Sequence, residues 1–172
     1  EAIEGCDAVL HVASPLPRTP PKHEDDLIVP AREGMLRVLR FSAELGVRRV
    51  VMTSSVAAVL YGHERDGSKV YDESSWSIPE KTAGAYEKSK TLAERAAWEF
   101  MESLPDDHAL EFVALNPGLV LGPILDEDYG TSCEAVRKLM RRELPGCPPI
   151  GFATVDVRDV AQAHLQAMDA PA

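Results

Sequence analysis

The sequence predicts an α/β fold, a doubly wound parallel sheet with helices on both faces, and three observations carry that prediction. Short apolar runs rich in β-branched residues alternate along the chain with stretches whose apolar residues recur at helical spacing. The strand-like runs are apolar nearly throughout, as expected of strands covered on both faces. No internal repeat or low-complexity tract interrupts the pattern, and 172 residues at 45% hydrophobic content suffice for one core.

The first run, "CDAVLHVAS" over residues 6–14, reads as a buried strand bounded by Gly5 and Pro15. The proline-rich stretch 15–26 reads as a loop. Over 29–46 the residues Met35, Val38, Leu39, Ser42 and Leu45 fall at helical spacing, and Gly46 is placed to stop the helix. "VRRVVMTSS" (47–55) reads as the second strand, followed by an irregular region to about residue 82. A helix follows from residue 84 or 86. Residues 109–123 contain a third strand that stops at Asn116-Pro117, and 131–144 read as a basic amphipathic helix. Residues 152–168 read as a short strand running into a last helix. The chain is expected to form one domain over 1–172, with about 124–150 contributing to a small C-terminal lobe over the substrate.

In a parallel sheet of this kind the ligand sits outside the carboxyl ends of the strands. The segments "HVAS", "TSS" and "LNPG" are therefore expected to meet.

Composition narrows the function. A net charge of -10 argues against a nucleic-acid surface. The basic patch of Arg137, Lys138, Arg141 and Arg142 reads as a solvated helix face. No apolar run reaches the ~18 residues of a membrane span. Cys6, Cys133 and Cys147 are odd in number and lack metal-ligand spacing, and with His63, His108 and His164 scattered no metal site is expected. These features point to a reducing, cytoplasmic setting. The chain opens at Glu1 without a methionine, as a segment of something longer would.

On a helical wheel, Ala93, Ala97 and Met101 share one side of the 84–100 helix with Phe100 and Ala96. Glu87, Lys88, Thr91, Arg95, Glu99 and Glu102 point the other way. Tyr86 and Lys90 lie together on the apolar side, one turn apart, where a lysine needs a partner. Y-x-x-x-K alone is weak: four tyrosines and six lysines in this chain supply such a pair by chance in about one chain in seven. Ser55, at a strand end upstream of the helix, supplies the context. A lysine ammonium lowers the pKa of a neighbouring phenol, and a serine hydroxyl can hold a carbonyl oxygen for protonation by it. These are the parts needed to move a proton while a cofactor moves a hydride.

Strand-end "TSS", Y-x-x-x-K on the next helix and "NPG" after the following strand resemble the extended branch of the short-chain dehydrogenases/reductases, within the NAD-dependent epimerase/dehydratase superfamily. "GCDAVLHVASPL", "VVMTSSVAAV", "VYDESSW", "YEKSKTLAERAAWEF" and "LNPGLVLGP" are most similar to the dihydroflavonol reductase, cinnamoyl-CoA reductase and aldehyde/ketone reductase group. The resemblance implies a Rossmann-like fold and reduction of a ketone or aldehyde with NADP or NAD, NADP being favoured. It implies Ser55 as the substrate-orienting serine, Tyr86 as acid/base and Lys90 as the ribose-binding lysine. It also implies that His11, Val12, Ala13, Ser14, Thr53, Ser54, Pro117, Gly118, Leu119 and Val120 line the cofactor, alongside Tyr86 and Lys90.

The family's glycine-rich G-x-x-G-x-x-G turn has no counterpart here, so the chain is expected to be about half of a family member and to bind cofactor very weakly or not at all by itself. Flavonoid-reducing members carry an asparagine five residues past the serine, where this chain has Leu60, which argues against a flavonoid substrate. His11 is expected to be a packed histidine, Trp76 and Trp98 packing residues, and Tyr129 and Cys133 candidates for the substrate side. The remaining readings are a nucleotide-sugar epimerase or dehydratase of the same fold, and a cofactor sensor or scaffold without activity. The expected partner is a small-molecule carbonyl, with no nucleic acid or membrane, and the assembly a monomer or homodimer.

Overall fold

The computed structural model describes residues 2–17, 19, 21–64, 67, 69–82, 84–125, 127, 130–143, 145–146 and 151–171. Three strands, β1 (Ala8–His11), β2 (Arg49–Thr53) and β3 (Glu111–Leu115), form a parallel sheet in that order. Helix α1 (Asp25–Glu44) connects β1 to β2, and α2 (Ala85–Glu102) lies between β2 and β3.

The register decides what each face carries. Val9, Val50 and Phe112 are in line across the sheet, as are His11, Met52 and Ala114. In a parallel ladder such partners share a face. That face packs on α1 and α2 through Ala31, Met35, Leu39, Ala93 and Ala97 to form the core. The other face carries Arg49, Val51 and Thr53, and helix α4 (Val157–Asp169) lies against it. Helices therefore cover both faces, as expected.

Two features of this frame depart from the sequence reading. Helix α1 starts at Asp25 rather than 29, so Pro30 lies inside it. Asp25 and Asp26 in the first turn suit the positive end of the helix dipole, and Leu27 and Ile28 are buried. The other end is as expected: Gly46 adopts φ +72° and the Val47 amide donates to the Ser42 carbonyl at 3.0 Å, a glycine-terminated helix stop.

The second departure is the sheet, which is not continuous. After Asn116-Pro117 the chain resumes as β4 (Leu119–Leu121), which pairs in parallel with β5 (Thr154–Asp156) to form a separate two-stranded sheet. A Cβ at Gly118 would lie 2.1 Å from the Ala153 carbonyl oxygen, so only glycine lets the two segments approach this closely. Helix α3 (Gly130–Met140) packs beside β4 and contributes no buried residue.

Arg49 ties α4 to the sheet. It is 2% exposed, pairs with Glu111 at 2.6 Å, and donates to the carbonyls of Ala167 at 2.8 Å and Ala170 at 2.5 Å. Replacing Arg49 by Met keeps most of the stem but leaves these acceptors unmet. The expected loss is roughly 3 kcal/mol in urea denaturation. Ser42 presents the opposite case. Among the described residues its hydroxyl is the buried side-chain polar atom with no partner. Ser42→Ala should stabilise the fold by about 1 kcal/mol in the same measurement, through better helix propensity and relief of an unmet polar group.

Candidate active site

Strand ends and the first turns of α2 bring the expected site residues together. Ser55 follows β2, is buried, and caps a short 3-10 turn over Val56–Ala58 by accepting from the Ala57 amide at 3.1 Å. Tyr86 is the second residue of α2, half-buried, and the Ser55 side chain is near enough to draw its phenol pKa down. Lys90, one turn on, is 6% exposed, and its Nζ donates to the Thr53 carbonyl at 3.3 Å. The same Nζ lies 5.9 Å from the centroid of the Tyr86 ring. Lys90 thus faces the sheet end, where a backbone carbonyl meets one of its three donors.

The remaining expected residues divide into two groups. His11 ends β1 on the α1/α2 face, and Ser54 is buried beside Ser55 with its amide donating to the Leu115 carbonyl at 2.8 Å. Pro117 joins the same junction, its carbonyl accepting from the Val56 amide at 3.1 Å. Val12, at 61% exposure, Ala13 and Ser14 continue past β1 in irregular chain. Leu119 and Val120 are strand residues of β4 and Gly118 packs against Ala153, so this segment is built by sheet pairing.

The electrostatics differ from the expectation in one respect. Burial pushes the Tyr86 phenol above its ordinary 10, the Ser55 hydrogen bond draws it back, and Glu87 and Tyr61 push it up again. The net direction is upward, whereas the spacing of Tyr86 and Lys90 suggested a lowered phenol. The reason is that burial of the phenol outweighs the effect of the Ser55 hydroxyl. Burial also lowers the Lys90 pKa, opposed by the charge of Glu94.

Sequence reasoning gave no site role to Glu94, Asn116 or His164. Glu94, 5% exposed, accepts from the Ser54 hydroxyl and from Asn116 Nδ2, the latter at 2.8 Å. Asn116 Nδ2 also donates to the Ser55 carbonyl at 3.1 Å. The available signal was spacing: Glu94 lies four residues past Lys90, hence on the same face. His164 of α4 is buried with Nε2 2.6 Å from the Thr53 hydroxyl and Nδ1 2.7 Å from the Val160 carbonyl. Because a carbonyl can only accept, Nδ1 carries a proton. Thr91, assigned by the wheel to the solvent side, is fully buried and donates to the Glu87 carbonyl at 2.8 Å. It packs against the 3-10 turn, which helical periodicity alone does not reveal.

Beyond β4, an open apolar cleft of about 620 Å³ lies between Leu121, Ile124 and the α3 residues Cys133, Val136 and Met140. Cys133 therefore does border a cleft, while Tyr129 and Cys147 fall outside the described residues. Arg137 is held by Glu134 at 2.6 Å and Glu143 at 3.0 Å. Trp98 packs edge-on against Phe112 at 4.7 Å, and Arg95 lies over the Trp76 ring at 5.3 Å. Among the described residues no cluster of metal-ligating side chains occurs, and no helix is long and apolar enough to cross a membrane.

The profile of the NAD dependent epimerase/dehydratase family matches residues 1–172. The chain belongs to this family. Cinnamoyl-CoA reductase 1 of Arabidopsis thaliana is 39% identical over 173 residues, covering 99% of this chain and 48% of that protein. The NADPH-dependent methylglyoxal reductase GRE2 of Saccharomyces cerevisiae is 40% identical over 176 residues, covering 92% of this chain and 51% of that protein. The crystal structure of yeast methylglyoxal/isovaleraldehyde reductase Gre2 complexed with NADPH superposes with a TM-score of 0.84 at 38% identity, over 95% of this chain and 53% of that one. The fold is thus the family's Rossmann-like fold, and the chain spans about half the length of the curated relatives it matches.

His11 offers a test of the site's charge pattern. Burial, followed by the nearby Lys90 charge, lowers its pKa from the ordinary 6.5. The folded protein then holds fewer protons than the unfolded chain just below pH ~6.5, so stability falls as pH drops through that window. His11→Asn should flatten this dependence, as read from melting temperature between pH 7.5 and 5.

Proposed function

We propose that the full-length protein is an NAD(P)H-dependent oxidoreductase that reduces a ketone or aldehyde to an alcohol. The observation that carries this reading is the grouping of Ser55, Tyr86 and Lys90 at one sheet end: a hydroxyl close enough to a phenol to shift its pKa, with a buried ammonium beside its ring. The relatives named above, a cinnamoyl-CoA reductase and a methylglyoxal reductase, support the same reaction class, and NADPH in the yeast reductase favours NADP as the cofactor.

The residues present fit the nicotinamide end of such a cofactor. Only one of the three Lys90 donors is met by the Thr53 carbonyl, which leaves donors for ribose hydroxyls. Tyr86 would share that ribose contact. Thr53, Ser54 and the ends of β1 and β3, with His11, Val12, Ala13, Ser14, Pro117, Gly118, Leu119 and Val120, would border the rest. Bound there, a reduced nicotinamide supplies a hydride to the carbonyl carbon.

The chain's own residues perform the proton chemistry. Ser55 orients the carbonyl oxygen by donating a hydrogen bond, and Tyr86 gives that oxygen its proton. A phenol with a raised pKa is fully protonated at neutral pH, the form a donor requires. Lys90 stabilises the phenolate left behind, which regains a proton from water. The cleft beyond Leu121 would take the apolar body of the substrate.

The full-length protein should oxidise NADPH one-for-one while reducing members of an aldehyde and ketone panel. Turnover of UDP-sugars without net cofactor oxidation would instead identify an epimerase. Tyr86→Phe should lower kcat by roughly 10²–10⁴-fold without changing the melting temperature. Lys90→Met should raise the KM for cofactor and move the alkaline limb of activity to higher pH. An unchanged profile would remove Lys90 from the mechanism.

A further inference from the structure

We propose that Glu94 is a positioning residue for this site, a buried carboxylate that holds the ends of β2 and β3 in register with the helix face bearing Tyr86 and Lys90. The proposal rests on the reductase reading above.

The geometry argues for it in three steps. Tyr86, Lys90 and Glu94 are spaced four apart on α2 and form one stripe facing the sheet end. Burying a carboxylate carries a desolvation penalty of several kcal/mol, so a glutamate persists there only if its oxygens are well met. One Glu94 oxygen, Oε2, takes both the Ser54 hydroxyl and the Asn116 amide. A single atom thus joins α2 to the residue after β2 and the residue after β3.

The grip extends to Ser55. Asn116 Nδ2 has two hydrogens, one spent on Glu94 and one on the Ser55 carbonyl. Glu94 fixes the amide, the amide fixes the Ser55 backbone, and Ser55 carries the hydroxyl that draws the Tyr86 phenol pKa down. The carboxylate also opposes the desolvation of Lys90, its charge pushing the Lys90 pKa up where burial lowers it.

The titratable neighbours of the pair among the described residues enter the pH argument. His11 faces Lys90 from β1, while Tyr61 and Glu87 act on Tyr86. His164 contacts Thr53 from α4, on the opposite face of the sheet. Of these groups, Glu94 is the one whose negative charge supports Lys90 directly.

The test uses the full-length enzyme, NADPH and a carbonyl substrate from the panel above. Glu94→Gln removes the charge and presents an amide where two donors already converge. It should lower kcat at least tenfold with little change in the substrate KM. It should also move the alkaline limb of kcat to higher pH, as Lys90→Met does, since a Lys90 that loses its proton more readily no longer stabilises the phenolate. Glu94→Asp keeps the charge on a shorter stem, so it should lower kcat while leaving the limb in place. If Glu94→Gln does not fold, the aspartate variant carries the test: a wild-type kcat there would overturn the proposal. A Glu94→Gln enzyme with a lower melting temperature but unchanged kcat and pH profile would make the carboxylate merely structural. Such a result alongside an inactive Tyr86→Phe would leave the reductase reading intact. An active Tyr86→Phe would sink that reading instead.

Discussion

A lysine ammonium and a glutamate carboxylate leave water together on one face of α2, and the site is organised around making that burial tolerable. Among the described residues neither charge has a salt-bridge partner. Each is met by groups at the sheet end: a backbone carbonyl for Lys90, a hydroxyl and a carboxamide for Glu94. The carbonyl belongs to the last ladder pair of β2, where the parallel strands stop, and the hydroxyl and carboxamide belong to the residues that follow β2 and β3. The sheet end therefore supplies partners, and the helix supplies charges that need them. The same junction closes through Ser54 to Leu115 and Val56 to Pro117, so β2 and β3 remain joined past their last regular residues.

The opposite face of the sheet has its own anchor. Arg49 inserts a charge under the last turn of α4, and His164 reaches the Thr53 side chain from the same helix. Thr53 is thereby held twice, its hydroxyl from one face and its carbonyl, through Lys90, from the other. A helix lying outside the candidate chemistry thus helps set the height of the residue on which the lysine rests.

Much of this was legible in the chain because it is periodic. Met35, Leu39 and Ala93 announce a helix layer by their spacing, and "VRRVVMTSS" announces a buried strand by its β-branched run. What escaped did so for stated reasons. β4 is three residues long and follows a proline and a glycine, so it carries no period to detect. The start of α1 was placed late because proline is ordinarily a first-turn residue, whereas here the acidic pair and Leu27 extend the helix ahead of it. Thr91 looked solvent-facing on a wheel that knows only one neighbour layer. His164 meets a partner 111 residues away, a relation no local pattern encodes. The Y-x-x-x-K pair was visible for the converse reason, since a charge on an apolar stripe is itself an anomaly.

The atom on which Lys90 rests belongs to the main chain. Every amino acid has that carbonyl, so no codon change at position 53 deletes the acceptor itself, although a change can shift it. Drift can exchange the threonine side chain, and with it the link to α4, while the lysine keeps its seat. Glu94 has no such insurance: its two bonds are made by a side chain, and a single base change can abolish both. Along lineages of this family, position 53 is expected to vary more freely than position 94, although the two lie at the same junction.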